Sequence, residues 1–366
     1  MIENIVVFGG AFDPIHQGHI NMALKAQEFL GGIDKCLIIF VPAYISVWKN
    51  EAISKDVKAE MVEMEINKHP SFIMSRFELD QDSPQYSYLT IKHFKEIYPD
   101  KKLYLLIGGD HVNSFHKWKN AEEIIKDAQI IYYNRARIIL NKDNITKYHM
   151  INIPGASVDI SSSDVRDLNA LNDISDDVIY LIDKYNLYYM EKIKSFIDEK
   201  RFNHSKSVAR LSLEIAKANN IPNYWRYYVA GLLHDIGKHI SIEDKKDIEE
   251  RYQEYMPMDI RLYHQFLGAD IAKKEFNIQD EEILDAIRYH ATGRKNMSKM
   301  DKVIYAADKC DPLRGYDSSD MIKAMKEDIE TGFIYVLKEN LAYLKKKMNV
   351  DISNKLTKEC FDYYLG

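Results

Sequence analysis

The chain begins with a short uninterrupted apolar run, Ile5-Val6-Val7-Phe8, that ends in Gly9-Gly10. Such a run predicts a strand buried on both faces. From His19 to Leu30 the pattern changes to helical spacing, with Ile20, Ala23, Leu24 and Leu30 on one side and Gly31-Gly32 closing it. A second apolar run, Cys36 to Val41, stops at Pro42, and Leu103 to Ile107 and Gln129 to Tyr133 read as two further strands. Helical windows, Asp56 to Lys68 and Tyr88 to Ile97, lie between them. Strand and helix in alternation predict a doubly wound α/β sheet, with ligands at the carboxyl ends of its strands. From about Glu191 the strand-like runs largely vanish. Amphipathic helical windows take over, among them Ser207 to Asn219, Tyr227 to Asp235, Glu281 to His290 and Met300 to Lys309. The pattern predicts an all-α second domain, with a boundary near 190–200 and domains of 1–192 and 193–366.

Composition sharpens this picture. A length of 366 residues suits two domains, and 46% hydrophobic with 29% charged residues lets each bury a core. A net charge of -6 argues against a dedicated nucleic-acid binder, although a local basic site suffices for small anions. Three cysteines, Cys36, Cys310 and Cys360, are far apart and form no CxxC pattern, which points to a reduced cytoplasmic compartment. The N-terminus lacks the basic start of a signal peptide, and no apolar run approaches a membrane span. Oligomeric state is not legible.

Candidate chemistry follows the first strand, in Gly9-Gly10-Ala11-Phe12-Asp13-Pro14-Ile15-His16-Gln17-Gly18-His19. Glycines after a strand let backbone approach phosphates closely. Two histidines three apart at a helix start place both imidazoles where the dipole favours anions. Such a site stabilises charge on a transferred phosphoryl group with no protein nucleophile. The full string resembles the nucleotidyltransferase superfamily, whose fold is Rossmann-like. A later string, Ile160-Ser161-Ser162-Ser163-Asp164-Val165-Arg166, combines hydroxyls at a helix start with an arginine one turn on. Together the two resemble bacterial nicotinate-nucleotide adenylyltransferase. Gly108-Gly109-Asp110 and Trp118 resemble that family's nucleotide-contacting and pyridine-side segments. The resemblance implies that ATP and nicotinate mononucleotide give deamido-NAD and pyrophosphate, with Mg²⁺ on the ATP. It assigns His16 and His19 to catalysis. Gly9, Gly10, Phe12, Asp13, Lys49, Gly108, Asp110, Trp118, Ser162, Ser163 and Arg166 are assigned to nucleotide binding. Two departures are Ala11 in place of the usual threonine and 42–49, which keeps only Pro42 and Lys49 of a Pro-Pro-His-Lys segment. The second leaves nicotinate against nicotinamide preference open.

A second constellation lies far downstream: His204, His234-Asp235, His264, His290 and Asp308. An adjacent His and Asp offer nitrogen and oxygen at one point, and an aspartate can bridge two cations. The H…HD…D order resembles the HD-domain superfamily, an all-α fold of metal phosphohydrolases. His290-Ala291-Thr292-Gly293-Arg294, Ile304 to Lys309 and Pro312-Leu313-Arg314 narrow the resemblance to the YqeK family of HD proteins. That resemblance implies symmetric hydrolysis of diadenosine tetraphosphate, a dinucleoside polyphosphate, to two ADP at a two-metal site. His204, His234, Asp235, His264, His290 and Asp308 would be ligands, Asp235 also catalytic, and Lys238, Arg294 and Arg314 polyphosphate contacts. Histidine-rich ligation favours iron, or alternatively manganese, over Mg²⁺. Two rival readings of this half remain: cleavage of another nucleotide phosphoester, and a nucleotide sensor that regulates the adenylyltransferase.

Overall fold

The computed structural model describes residues 1–43, 53–83, 85–134, 138–155, 160–168, 170–346 and 354–366. The chain divides into two compact units, Met1–Tyr188 and Tyr189–Gly366.

The first unit is a parallel sheet of six strands: β1 (Asn4–Gly10), β2 (Cys36–Pro42), β3 (Phe72–Met74), β4 (Lys102–Gly108), β5 (Gln129–Tyr133) and β6 (Ile151–Asn152). Their order is β3-β2-β1-β4-β5-β6, and every pairing is parallel. The connecting helices are α1 (Gln17–Phe29), α2 (Lys55–Ile66), α3 (Ser87–Ile97), α4 (Gly109–Ser114), α5 (Ala121–Asp127), α6 (Lys142–Lys147), α7 (Ser162–Arg166) and α8 (Asp176–Tyr185). Alternate residues of the central strands, Ile5, Val7, Ile39, Val41, Leu105 and Ile130, are buried with Phe94 of α3 and Ile124 of α5. The opposite face is also buried, where Phe40 packs against Phe8 and Phe72 at 5.3 and 5.4 Å. Burial on both faces explains why these strands read as continuous apolar runs. The four runs anticipated from sequence are β1, β2, β4 and β5. The edge strands β3 and β6 escape that reading, being three and two residues long with too little pattern to detect. Strand order reverses between β1 and β4, so a crevice opens at their carboxyl ends.

The second unit is helical, with no strand among its described residues. Its helices are α9 (Tyr189–Lys194), α10 (Glu199–Ala218), α11 (Trp225–Leu233), α12 (Ile242–Arg251), α13 (His264–Glu275), α14 (Glu281–Tyr289), α15 (Lys299–Cys310), α16 (Ser319–Glu327), α17 (Ile329–Lys346) and α18 (Lys355–Leu365). Helix α15 is buried almost all round, from Met300 to Asp308, and forms the centre. A capping box between Ser298 and Asp301 starts it. Helices α10 and α11 touch at Gly231, where a Cβ would stand 2.8 Å from the Ala209 Cα. No helix among the described residues is long and apolar enough to cross a membrane.

Candidate active sites

At the crevice of the first unit, β1 ends at Gly9-Gly10 and α1 starts at Gln17 with His16 as its N-cap. A Cβ on Gly9 would meet nothing within 4 Å, so there is open room above the strand end. Phe12, with φ of 44°, turns the chain, and its buried ring packs edge-on against Phe8 and His19 at 5.4 and 5.0 Å. The rings of His16 and His19 lie 3.7 Å apart, and the His16 backbone N–H donates to His19 Nδ1 at 3.2 Å. That bond makes Nδ1 an acceptor, so a neutral His19 carries its proton on Nε2. His16 is buried, and a Cβ on Gly18 would stand 2.9 Å from its ring.

The late serine-rich helix α7 closes on the same loop. Ser162 Oγ donates to the Pro14 carbonyl at 3.0 Å, and Arg166 donates to the Asp13 carbonyl at 2.6 Å and to Ser163 Oγ at 2.7 Å. The hydroxyl of Tyr188 donates to Asp13 Oδ1 at 2.7 Å. Gly108, Gly109 and Asp110 form the β4–α4 junction on the other side of the switch point. Trp118 packs against Phe115 and His111 at 5.0 and 5.6 Å. Lys49 lies outside the described residues. A cation missed in the sequence is Lys58 of α2, which is buried and donates to the Ala43 carbonyl at 3.3 Å. Burial pulls its pKa below the ordinary lysine value, and the Asp13 carboxylate opposes that.

In the second unit, the six residues singled out as metal ligands come from α10, the turn after α11, the start of α13, the end of α14, and α15. Five of them converge as two groups that share Asp235: His204, His234 and Asp235, and Asp235, His264 and His290, each with its donor atoms within 4.8 Å of one another. Asp308 Oδ1 lies 3.0 Å from His204 Nε2 and 3.7 Å from His234 Nε2. Three of the histidines share one construction. Nδ1 of His234, His264 and His290 donates at 2.7 Å to the carbonyl three residues earlier: Gly231, Arg261 and Ile287 respectively. Each neutral ring is thereby locked with its Nε2 lone pair facing inward. His234 Nε2 is buried with no hydrogen-bond partner among the described residues. His264 and His290 point Nε2 at one another across 3.0 Å. Two lone pairs at that distance repel unless a cation mediates. Burial disfavours a proton in that role: it lowers the pKa of His264 and takes that of His290 down to about 3. The donor set and its orientation therefore fit metal.

Supporting charges surround these ligands. Asp235 is 3% exposed. Burial opposes its ionisation, but the Lys238 ammonium beside it helps to hold it well below the usual carboxylate range. Lys238 Nζ lies 3.2 Å from Asp235 Oδ1 and 2.8 Å from His264 Nε2, and Arg201 reaches Asp235 Oδ2 at 2.9 Å. Arg314 donates to Asp308 through Nη2 and to its carbonyl through Nε. Asp311 is fully buried and accepts from His204 Nδ1 and Ser207 Oγ, both at 2.5 Å. Burial opposes it, but bonds to Asp308 and Asp311 raise the His204 pKa to about 9. Arg201 and Asp311 were not singled out from sequence. The only hint of Asp311 was its place before Pro312-Leu313-Arg314. Arg294 is held differently: it pairs with Asp301 at 2.7 Å and Asp285 at 3.0 Å and lies over the Tyr289 ring.

A close backbone approach sets the position of His264. A Cβ on Gly237 would stand 2.4 Å from the Gly268 nitrogen and 2.5 Å from the His264 carbonyl. Backbone cannot yield as a flexible side chain can. Gly237→Ala is therefore expected to push α13 from the His234-Asp235 turn, destabilising the unit by about 1–3 kcal/mol. A thermal melt checks this, and an unchanged midpoint would mean that the contact relaxes freely.

Comparison with known proteins finds relatives of both halves. Residues 7–168 match the cytidylyltransferase-like family model, and residues 201–313 match the HD domain. A Mycoplasma genitalium protein described as a probable nicotinate-nucleotide adenylyltransferase/Ap4A hydrolase is 29% identical over 356 residues, covering 92% of this chain and 98% of that protein. A probable nicotinate-nucleotide adenylyltransferase of Clostridium tetani is 32% identical, covering 50% of this chain and 97% of that protein. One from Aquifex aeolicus is 33% identical, covering 43% and 99%. With its N-terminal half matched along nearly the whole of such relatives, the chain belongs to the nicotinate-nucleotide adenylyltransferase family and carries an HD domain in its C-terminal half.

Proposed function

We propose that the chain is a bifunctional cytoplasmic enzyme. Residues 1–192 transfer AMP from ATP to nicotinate mononucleotide, giving deamido-NAD and pyrophosphate. Residues 193–366 hydrolyse diadenosine tetraphosphate symmetrically to two ADP. The observation that carries the hydrolase half is the Asp235 carboxylate shared by two ligand groups. The relatives' names support the substrates.

In the first half, the mononucleotide phosphate attacks the α-phosphate of ATP in line. His16 and His19, at the start of α1, bind the phosphates, and His19 Nε2–H donates to the charge that builds on the α-phosphoryl oxygens. Ser162, Ser163 and Arg166 hold the leaving pyrophosphate. Their bonds to Pro14, Asp13 and each other tie α7 to the β1–α1 loop, which orients them in advance. Gly9, Gly10 and Phe12 shape the phosphate cradle, and Gly108, Asp110 and Trp118 line the nucleotide from the β4 side. Mg²⁺ accompanies ATP.

In the second half, His204, His234 and Asp308 would hold one metal, His264 and His290 a second, with Asp235 between them. Bound iron or manganese supplies Lewis acidity toward phosphoryl oxygen and lowers the pKa of water. The protein's own groups do the rest. Backbone carbonyls fix three histidines as Nε2 ligands, and Asp311 fixes His204. Arg201 holds the distal oxygen of Asp235, and Lys238 and Arg314 place positive charge toward the phosphates.

The test uses full-length protein loaded with Fe²⁺ anaerobically or with Mn²⁺. Chromatography of diadenosine tetraphosphate digests is expected to show ADP alone. AMP with ATP would refute symmetric cleavage, and intact substrate with metal bound would refute the hydrolase reading. Pyrophosphate release from ATP with nicotinate mononucleotide tests the first half in the same preparation.

A further inference from the structure

A cleft of about 1100 Å³ opens in the second unit beside His204 and Asp308, and its lining combines charged and apolar groups. It is lined by those candidate ligands and the cationic groups of Arg201, Lys309 and Arg314, with the acidic Asp198, Asp317 and Glu339. The same lining carries Leu313, Tyr316, Met321, Val336 and Tyr343. Val336 and Tyr343 are seven residues apart on α17, two turns along one face. Leu313, Tyr316 and Tyr343 are 62%, 47% and 52% exposed. Single exposed apolar residues are ordinary, but three around one concavity that also holds candidate metal ligands and cations ask for a ligand. The Tyr316 hydroxyl donates to the Lys309 carbonyl, which fixes its ring at the cleft.

A substrate made of phosphate alone would leave this wall without a use. A nucleoside polyphosphate matches both kinds of lining group: charge for the phosphates, and a flat apolar group for the rings. We infer that Tyr316 and Tyr343 form a nucleobase subsite that takes one base of the substrate by stacking, while its phosphates run toward Asp308 and His204. This rests on the reading of the unit as a dinucleoside polyphosphate hydrolase, and it names the residues that recognise the nucleoside. Aromatic stacking contributes enough that losing one ring should weaken binding about tenfold.

The test is made on full-length, Mn²⁺-loaded protein carrying Tyr343→Trp, which keeps an aromatic ring and adds a fluorescent reporter. Its emission is followed against a parallel titration of the unsubstituted protein, which subtracts any response to nucleotide in the first unit. ADP is expected to quench the new tryptophan saturably, whereas inorganic pyrophosphate leaves it unchanged. Adding Tyr316→Ala should weaken the ADP response about tenfold and leave the ability of pyrophosphate to compete with ADP unaltered. Tyr316→Phe should also weaken it less than Tyr316→Ala. The assignment is overturned if ADP gives no quenching, or if Tyr316→Ala leaves ADP affinity unchanged or lowers pyrophosphate affinity equally. Diadenosine tetraphosphate hydrolysis by the unsubstituted protein is measured alongside. Quenching by ADP without hydrolysis would sink the hydrolase reading and keep the subsite; hydrolysis without quenching would do the reverse.

Discussion

Asp235→Ala is expected to lower diadenosine tetraphosphate hydrolysis by about 10³-fold or more while adenylyl transfer continues at its normal rate. The magnitude follows from the position of the side chain. Asp235 is the one residue common to both ligand groups, and its Oδ1 lies 3.3 and 3.5 Å from Nε2 of His264 and His290. Metal catalysis supplies several kcal/mol of transition-state stabilisation, and each 1.36 kcal/mol or so is tenfold in rate. Removal of the carboxylate also takes from Lys238 and Arg201 the anion that each of them pairs with there. Metal binding gives a second readout. A ligand present at about 100 times its Kd adds roughly 2.7 kcal/mol to stability, so Mn²⁺ should raise the melting midpoint of the second unit in the unsubstituted protein and not in the variant. If Asp235→Ala still takes up metal and still hydrolyses substrate, the two-group site is wrong.

His19→Ala should reduce kcat for adenylyl transfer by about 10²–10³, the usual effect of losing one transition-state donor. KM for ATP should change far less, because charge on the α-phosphoryl group builds mainly in the transition state. The geometry gives the reason for choosing His19. Its Nδ1 accepts the His16 backbone N–H, which assigns the proton to Nε2 and places the donor on the first turn of α1. His19→Asn tests the donor itself, since an amide retains an N–H near that point and should recover part of the loss. Near-normal turnover by His19→Ala would remove this residue from the chemistry, leaving the charge to His16 and the helix terminus. Hydrolysis of diadenosine tetraphosphate by the same variant should be unaffected.

Both sites were legible to different depths. The N-terminal string was readable because its chemistry is local: two glycines ending a strand, then two histidines on the first turn of the next helix, all within Gly9 to His19. The metal-ligand candidates were readable as residue types with a familiar order, although they span more than a hundred residues. Arg201 and Asp311 were not. A lone arginine or aspartate in an amphipathic helical stretch has no distinguishing pattern, and each acts only because folding places it against Asp235 or His204. Arg294 shows the converse. Its motif suggested a phosphate contact, and only the fold shows that its guanidinium pairs with Asp301 and Asp285. The wall of Tyr316 and Tyr343 was invisible for the same reason, since its halves come from separate segments that meet only across the cleft.

Sequence alone determined what depends on neighbours a few residues apart. The buried strands, the helical periodicity of the second unit, the glycines at the strand end and the chemical types of the candidate ligands follow from local sterics and from apolar burial. Tertiary structure decided what depends on the convergence of distant segments. It made Asp235 common to two histidine groups, aimed three Nε2 lone pairs inward by directing each Nδ1 to a carbonyl, and set α13 against the His234-Asp235 turn through Gly237. Those outcomes rest on angstrom-scale packing between helices, which no residue specifies without its partners.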